Sequence, residues 1–219
     1  MGDSLQRFFA IIGHRAPSSG KLNLNDLSGS GRMDVLVRAV NSALFVSHGI
    51  RKDSQILVHL QGSEGPDRRI LFDGTTLSGV RPDERSIAGQ IKSIMKLPIP
   101  PVGHFQEVTQ GIFHSGGDIS DTIDYWKKDG VEINILDING KNISEKESVE
   151  KIGIILSDDL PFSVEEEKLF EFQSLNNFDN IESEIGDVLF TIINLSRFLG
   201  ISAENALRKS NKKFIISSR

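Results

Sequence analysis

Two periods of apolar residues alternate along most of the chain. Phe8-Phe9-Ala10-Ile11-Ile12 is a short unbroken apolar run closed by Gly13, the pattern of a strand covered on both faces. Residues 15–30 carry Pro17, Gly20, Gly29 and many Ser and Asn, which predicts a loop. Met33, Leu36, Val37, Val40 and Leu44 then fall on one helical stripe, predicting a helix that ends near Ser47-His48-Gly49. Asp34, Arg38 and Asn41 lie on its other face. Ile56 to Leu60 and Arg69 to Phe72 read as strands, and Asp73-Gly74 as a turn. Asp83 is a candidate N-cap for a second helix, whose stripe is Ile87, Ile91, Ile94 and Met95. The break at Leu97-Pro98-Ile99-Pro100-Pro101 is the best candidate for an internal joint or lid.

The alternation continues beyond it. Gly111-Ile112-Phe113, Val131 to Leu136 and Ile152 to Leu156 predict strands, Ile119 to Lys128 a short helix closed by Gly130, and Ser163 to Phe172 a further helix. Ser163 and Glu166 have capping-box spacing, which supports that last start point. The expected fold class is therefore α/β, with a mainly parallel sheet flanked by helices and a ligand site beyond the strand C-terminal ends. From Ile181 the texture changes. Ile185, Val188, Leu189, Ile192, Leu195 and Leu199 predict a long amphipathic helix closed by Gly200, followed by another capped by Ser202.

Composition narrows the chemistry. With 38% hydrophobic and 25% charged residues over 219 positions, the chain is large enough for a sizeable core. Cysteine is absent, which excludes disulfides, thiolate nucleophiles and cysteine-ligated metal centres. The start lacks signal-peptide architecture and the longest apolar runs are too short to span a bilayer, so a soluble cytoplasmic protein is expected. A net charge of −5 cannot hold nucleic acid by bulk attraction, so any RNA contact must be a local patch. The basic residues Arg32, Arg38, Arg51, Lys52, Arg68, Arg69, Arg81 and Arg85 place that patch in the N-terminal half.

Four groups of residues carry candidate chemistry. Gly31-Arg32-Met33-Asp34 with Arg38 puts a carboxylate between two guanidiniums, able to grip phosphate and orient a base edge; a solvated salt bridge at a helix start explains the same pattern. Arg81-Pro82-Asp83-Glu84-Arg85 is a second basic cluster, in which Asp83 serves equally as a plain cap. The segments Leu136-Asp137-Ile138-Asn139-Gly140 and Leu156-Ser157-Asp158-Asp159-Leu160-Pro161 are expected as polar loops after late strands, where an α/β sheet binds its cofactor; they also read as ordinary turns. Neither carries a phosphate-cradling glycine motif, which disfavours a Rossmann nucleotide site. Glu184 and Asp187 share a helical face and are spaced for Mg²⁺, or form a wet helix face. The five histidines show no metal-site spacing and are assigned no role.

From about Phe9 to Phe172 the sequence resembles the archaeal TrmY family, SPOUT-class methyltransferases that methylate N1 of pseudouridine in the tRNA T-loop. The resemblance rests on Gly13-His14-Arg15-Ala16-Pro17, Gly31-Arg32-Met33-Asp34-Val35-Leu36, the run Ala43 to Asp53, Pro82-Asp83-Glu84-Arg85-Ser86, Gly111-Ile112-Phe113, and Ile155-Leu156-Ser157-Asp158-Asp159 followed by Glu165-Glu166-Glu167. It implies a homodimeric protein with a C-terminal trefoil knot that holds S-adenosylmethionine. The matching cofactor positions are Leu136, Asn139, Gly140, Leu156, Ser157 and Asp158. RNA contact falls to Arg32, Arg38, Arg81 and Arg85, and the catalytic proton or orientation role to Asp34.

Beyond Phe172-Gln173-Ser174-Leu175, a possible last family strand, the chain lacks the expected Ser-Pro-Leu loop and His-containing knot helix. Ile181 to Phe214 instead resembles the C-terminal end of MazG-type nucleoside triphosphate pyrophosphohydrolases, through Glu182 to Phe190, Asn194 to Arg197 and Ala206 to Phe214. Glu184 and Asp187 match that family's E-x-x-D motif. Glu166 and Glu167 begin its E-E-x-x-E helix, but Phe170 stands where the third carboxylate belongs, so a complete pyrophosphohydrolase is not expected. The expected organisation is a methyltransferase domain over residues 1–175 and a helical tail over 176–219, packed in place of the knot helix. The expected function is S-adenosylmethionine-dependent tRNA methylation. Mg²⁺-dependent nucleotide hydrolysis and non-catalytic RNA binding with an impaired cofactor site are the alternatives.

Overall fold

The computed structural model describes residues 5–47, 49–142, 150–170 and 174–176. In chain order the elements are β1 (Gln6–Gly13), α1 (Met33–Leu44), β2 (Phe45–Val46), β3 (Gly49–Ile50), β4 (Ser54–Leu60), β5 (Arg68–Asp73), α2 (Glu84–Ile94), β6 (Gln106–Thr109), β7 (Ile112–Gly116), α3 (Ile119–Lys128), β8 (Glu132–Asn142), β9 (Lys151–Ser157), α4 (Val164–Leu169) and β10 (Ser174–Asn176). Eight strands form one sheet in the order β10-β8-β9-β1-β4-β5-β7-β6, and β2 with β3 make a small hairpin.

Strand β1 is central because its residues are apolar on both faces. Ile11 faces a core built with Met33, Leu36, Val37, Val40 and Leu44 of α1 and Ile87, Ile91 and Ile94 of α2. Phe8, Ala10 and Ile12 face the opposite core with Ile119, Ile123 and Trp126 of α3. Each fully buried aliphatic side chain contributes about 1.5–3 kcal/mol, so the two stripes fix which helix covers which face. The helix starts follow local chemistry. The Asp83 carboxylate accepts from Ser86 N at 2.7 Å, and Asp118 with Asp121 and Ser163 with Glu166 form reciprocal capping boxes at α3 and α4.

The sheet is mainly parallel, as expected: β10, β8, β9, β1 and β4 run parallel, and the β4–β5, β5–β7 and β7–β6 pairs add an antiparallel side. Several other expectations are corrected. Helix α1 stops at Leu44 because Phe45-Val46 turns back to pair with Gly49-Ile50. The 97–101 segment is bonded to the sheet rather than standing off as a lid: Arg68 Nη2 donates to Leu97 O at 2.7 Å and Gly116 N to Pro100 O at 2.9 Å. Arg68 and Arg69 are buried on opposite faces of β5 and so leave the surface basic patch. Strand β8 is longer than its apolar run, because its extension pairs with β10 at Lys141 and Asn142. Leu136, Asn139 and Gly140 therefore belong to a strand and not to a loop. The expected helices after Ile181 lie outside the described residues.

Candidate functional site

The parallel strands end on one edge, and the chain leaves that edge in opposite directions. β1 passes through α1 to β4 on one side, while β9 passes through α4 to β10 on the other. Such a divergence marks the usual ligand position in an open α/β sheet, beyond the two carboxyl ends. Residues from β1, α1, β9 and α4 meet there.

The turn after β1 is tightly built. Gln61 N donates to Gly13 O at 3.1 Å and Gly62 N to Ala16 O at 2.8 Å. A Cβ at either Gly31 or Gly62 would collide with the Arg15 carbonyl, so both close approaches require glycine. Arg32 follows at φ 58°, the one non-glycine positive φ among the described residues. A side chain in this region costs roughly 1–3 kcal/mol, a strain that persists where neighbours hold it. Here the guanidinium does so. Arg32 Nε donates to Asp34 Oδ1 at 3.0 Å, Nη2 to Asp34 Oδ2 at 3.3 Å, and Nη1 to Asp159 Oδ2 at 2.7 Å. Arg38 also donates to Asp34 Oδ2, and Arg15 to Asp159 Oδ2.

Behind this row lies a buried trio. His14 N donates to Asp158 Oδ2 at 3.0 Å, His14 Nδ1 lies 3.0 Å from Asp158 Oδ1, and His14 Nε2 lies 3.0 Å from Glu166 Oε2. Ser163 N donates to the same Glu166 oxygen at 2.8 Å. Asp158 N donates to Ile12 O at 3.0 Å, and Leu160 N to Asp158 Oδ1 at 2.9 Å. One imidazole thus ties the β1 exit to the β9 exit and to α4.

The charges set the protonation states. Burial opposes a charged His14, but the bonds to Glu166 and Asp158 outweigh it and raise its pKa above the ordinary 6.5. Burial likewise opposes ionised Asp34, yet Arg32 and Arg38 win and hold it below the usual carboxylate value. Asp159 is lowered by its hydrogen bond to Arg15 and the nearby Arg32 charge.

Of the residues expected from sequence, the structure brings Arg32, Asp34 and Arg38 into one ion-paired row on α1. Arg81 and Arg85 sit at the start of α2; Arg85 Nη2 donates to Asn25 Oδ1 of the 15–30 loop at 2.8 Å, and no ion pair joins either residue to the α1 row among the described residues. Leu156 and Ser157 close β9 beside β1, where they pair with Ile11 and Ile12. The Asp158 carboxylate is taken up by His14 and Leu160 N, and its main-chain N–H by Ile12 O. Glu184 and Asp187 lie outside the described residues. Sequence reasoning missed His14 and Arg15 as site members, and it named Asp159 only within the loop after β9 and Glu166 only in a capping box and an incomplete acidic helix motif. Their stretches carry the family resemblance, but partners 144 and 152 residues apart leave no periodic signal.

β8 pairs with β9 from Glu132 to Ile135, whereas Leu156 and Ser157 of β9 pair with β1. Beyond Ile135 the register of β8 with β9 ends, and β8 continues beside β10. An α/β sheet covered on both faces, with arginines and carboxylates gathered at the carboxyl edge of its central strands, defines an enzyme of the ligand-at-the-strand-ends class. The chain belongs to the family of SAM-dependent RNA methyltransferases, whose family model matches residues 6–178. It is similar to the tRNA (pseudouridine(54)-N(1))-methyltransferase of Methanocella arvoryzae, 35% identical over 172 residues that cover 75% of this chain and 84% of the relative. The protein of the same name from Methanospirillum hungatei is 38% identical over 164 residues, covering 74% and 80%. That from Methanococcoides burtonii is 35% identical over 168 residues, covering 75% and 82%. A second family, the MazG nucleotide pyrophosphohydrolase domain, matches residues 146–218. The part of that match up to residue 170 holds β9, inserted between β8 and β1 in the sheet, and α4.

Proposed function

We propose that this protein transfers a methyl group from S-adenosylmethionine to N1 of a pseudouridine in the tRNA T-loop, acting as a cytoplasmic homodimer of SPOUT type. The observation that carries the reading is the Arg32–Asp34–Arg38 row standing against the β9 exit loop, with its carboxylate held ionised between two guanidiniums. The relatives' shared name supports the substrate. The dimer and the knot rest on the family resemblance, and a tRNA substrate supports the cytoplasmic location.

Residues Leu136, Asn139 and Gly140 of β8 and Leu156, Ser157 and Asp158 at the end of β9 would hold S-adenosylmethionine. The cofactor supplies a methyl group already activated on a sulfonium. The chain's task is to align the acceptor nitrogen and to accommodate the N1 proton as it leaves. Asp34 is too acidic, beside Arg32 and Arg38, to retain that proton; it accepts a hydrogen bond from N1–H, orients the base, and lets the proton pass to water. Arg32, Arg38, Arg81 and Arg85 contact the RNA backbone. The methyltransferase domain is assigned to residues 1–175; of the 176–219 tail, Asn176 pairs in β10 and the rest lies outside the described residues.

Titration calorimetry of the purified chain with S-adenosylmethionine, without tRNA, tests the cofactor site. Saturable binding near one site per chain supports it, and no binding overturns it. The MazG match favours a second reading, Mg²⁺-dependent nucleotide hydrolysis through Glu184 and Asp187. One observation weighs against it: Glu166, which begins that family's acidic helix, is committed to His14 and to the α4 capping box. Nucleotide turnover that needs Mg²⁺ and is lost on Glu184→Gln would support the second reading.

A further inference from the structure

Arg15 has no part in the reading above, yet it is the most exposed guanidinium to reach the β9 exit loop. Its side chain is 47% exposed, that of Arg32 31%, and both donate to the same oxygen of Asp159, itself 30% exposed. Arg15 spends one N–H on Asp159, and Arg32 reaches it through Nη1 while Nε and Nη2 hold Asp34, so each planar fork keeps further donors for an anion. Both sit on rigid supports. The Arg15 carbonyl is wedged against Gly31 and Gly62, and Arg32 is the N-cap residue of α1, whose side chain makes no capping bond. An uncapped helix start adds a favourable field for an anion at this point.

We propose that Arg15 and Arg32 form a phosphodiester subsite for the RNA backbone, and that Asp159 occupies it as an internal stand-in until RNA arrives. A phosphodiester offers two non-bridging oxygens that share one negative charge, so each guanidinium finds its own acceptor. The Asp159 pairs are solvent-exposed, and such pairs are weak enough to exchange. Displacement is assisted by the other RNA contacts, whereas a lone small anion must compete with Asp159 unaided. The carboxylate therefore raises the threshold for unspecific anions and keeps both arginines at the β9 exit loop. This inference rests on the tRNA-methyltransferase reading.

The test is filter binding of a tRNA transcript carrying T-loop pseudouridine, across a KCl series, with methyl transfer followed in parallel. Asp159→Asn is expected to bind about 3- to 5-fold tighter than wild type. Arg15→Ala is expected to bind about 5-fold weaker, with the slope of log affinity against log salt reduced by about 1. The double variant should show no tightening relative to Arg15→Ala. Weaker or unchanged binding by Asp159→Asn, with a melting temperature like wild type, overturns the stand-in role while the function survives. An unchanged salt slope in Arg15→Ala overturns the subsite. A wild-type chain that binds no tRNA overturns both the inference and the reading beneath it.

Discussion

Replacing His14 by alanine tests whether the buried trio holds the site together. The imidazole is 16% exposed, and it bridges an Asp158 side chain at 0% and a Glu166 side chain at 10% exposure. Removing one partner from a buried ion pair costs about 3–5 kcal/mol, because the other charge stays buried. Here both carboxylates keep main-chain donors, from His14 N and Leu160 N on one side and Ser163 N on the other. The expected loss is therefore about 2–3 kcal/mol near pH 6, a fall in melting temperature of roughly 4–12 °C for a chain of this size. The pH dependence gives a sharper signature. His14 has a raised pKa in the folded state, so the native chain binds a proton that the unfolded chain releases. Its contribution is fully present below the ordinary histidine value of 6.5 and is lost as pH rises through the folded value. Urea denaturation of wild type and His14→Ala at steps from pH 5.5 to 8.5 should give two curves that converge toward high pH. Parallel curves, or a difference under about 0.5 kcal/mol at pH 6, would refute the reasoning.

Asp34→Ala should abolish methyl transfer while leaving calorimetric cofactor binding nearly intact, since Asp34 lies on α1 and not on β8 or β9; turnover like that of wild type removes its assignment. Arg38→Ala should weaken tRNA binding and reduce the salt slope by about 1, with unchanged affinity counting against it. Gly62→Ala should destabilise the fold by about 1–3 kcal/mol, because its Cβ meets the Arg15 carbonyl at a turn whose main chain is bonded on both sides. Thermal melts check this, and a variant as stable as wild type shows that the turn relaxes.

What the sequence made legible is what local chemistry decides. The α1 stripe, the β1 run, the Asp83 cap and the Ser163–Glu166 box depend on residues within a few positions of one another, and each appears where it was expected. The length of β8 was not legible, because its extension from Leu136 to Asn142 is held by β10, more than thirty positions further on. The antiparallel half of the sheet was hidden for a similar reason, since strand direction follows from how connections pack and not from apolar period. Arg68 and Arg69 read as surface cations, but β5 lies inside the sheet, and each is taken up by main-chain carbonyls from elements distant in sequence. At the site, Arg32, Asp34 and Arg38 were visible as one helix face. The meeting of His14 and Arg15 with Asp159 and Glu166 was not, because only the pairing of β1 with β9 brings them together.

The central claim is methyl transfer to N1 of pseudouridine, and it has a decisive chemical control. In pseudouridine the base is joined to ribose through carbon, which leaves N1 free; in uridine N1 is the glycosidic nitrogen and cannot accept a methyl group. The most direct measurement is incorporation of labelled methyl from S-adenosylmethionine into two tRNAs that differ only in pseudouridine or uridine at the T-loop position. The account predicts about one methyl per pseudouridine-containing tRNA, located by mass spectrometry on that base, and none on the uridine form. Absence of transfer to the pseudouridine form, or equal transfer to both, would contradict it.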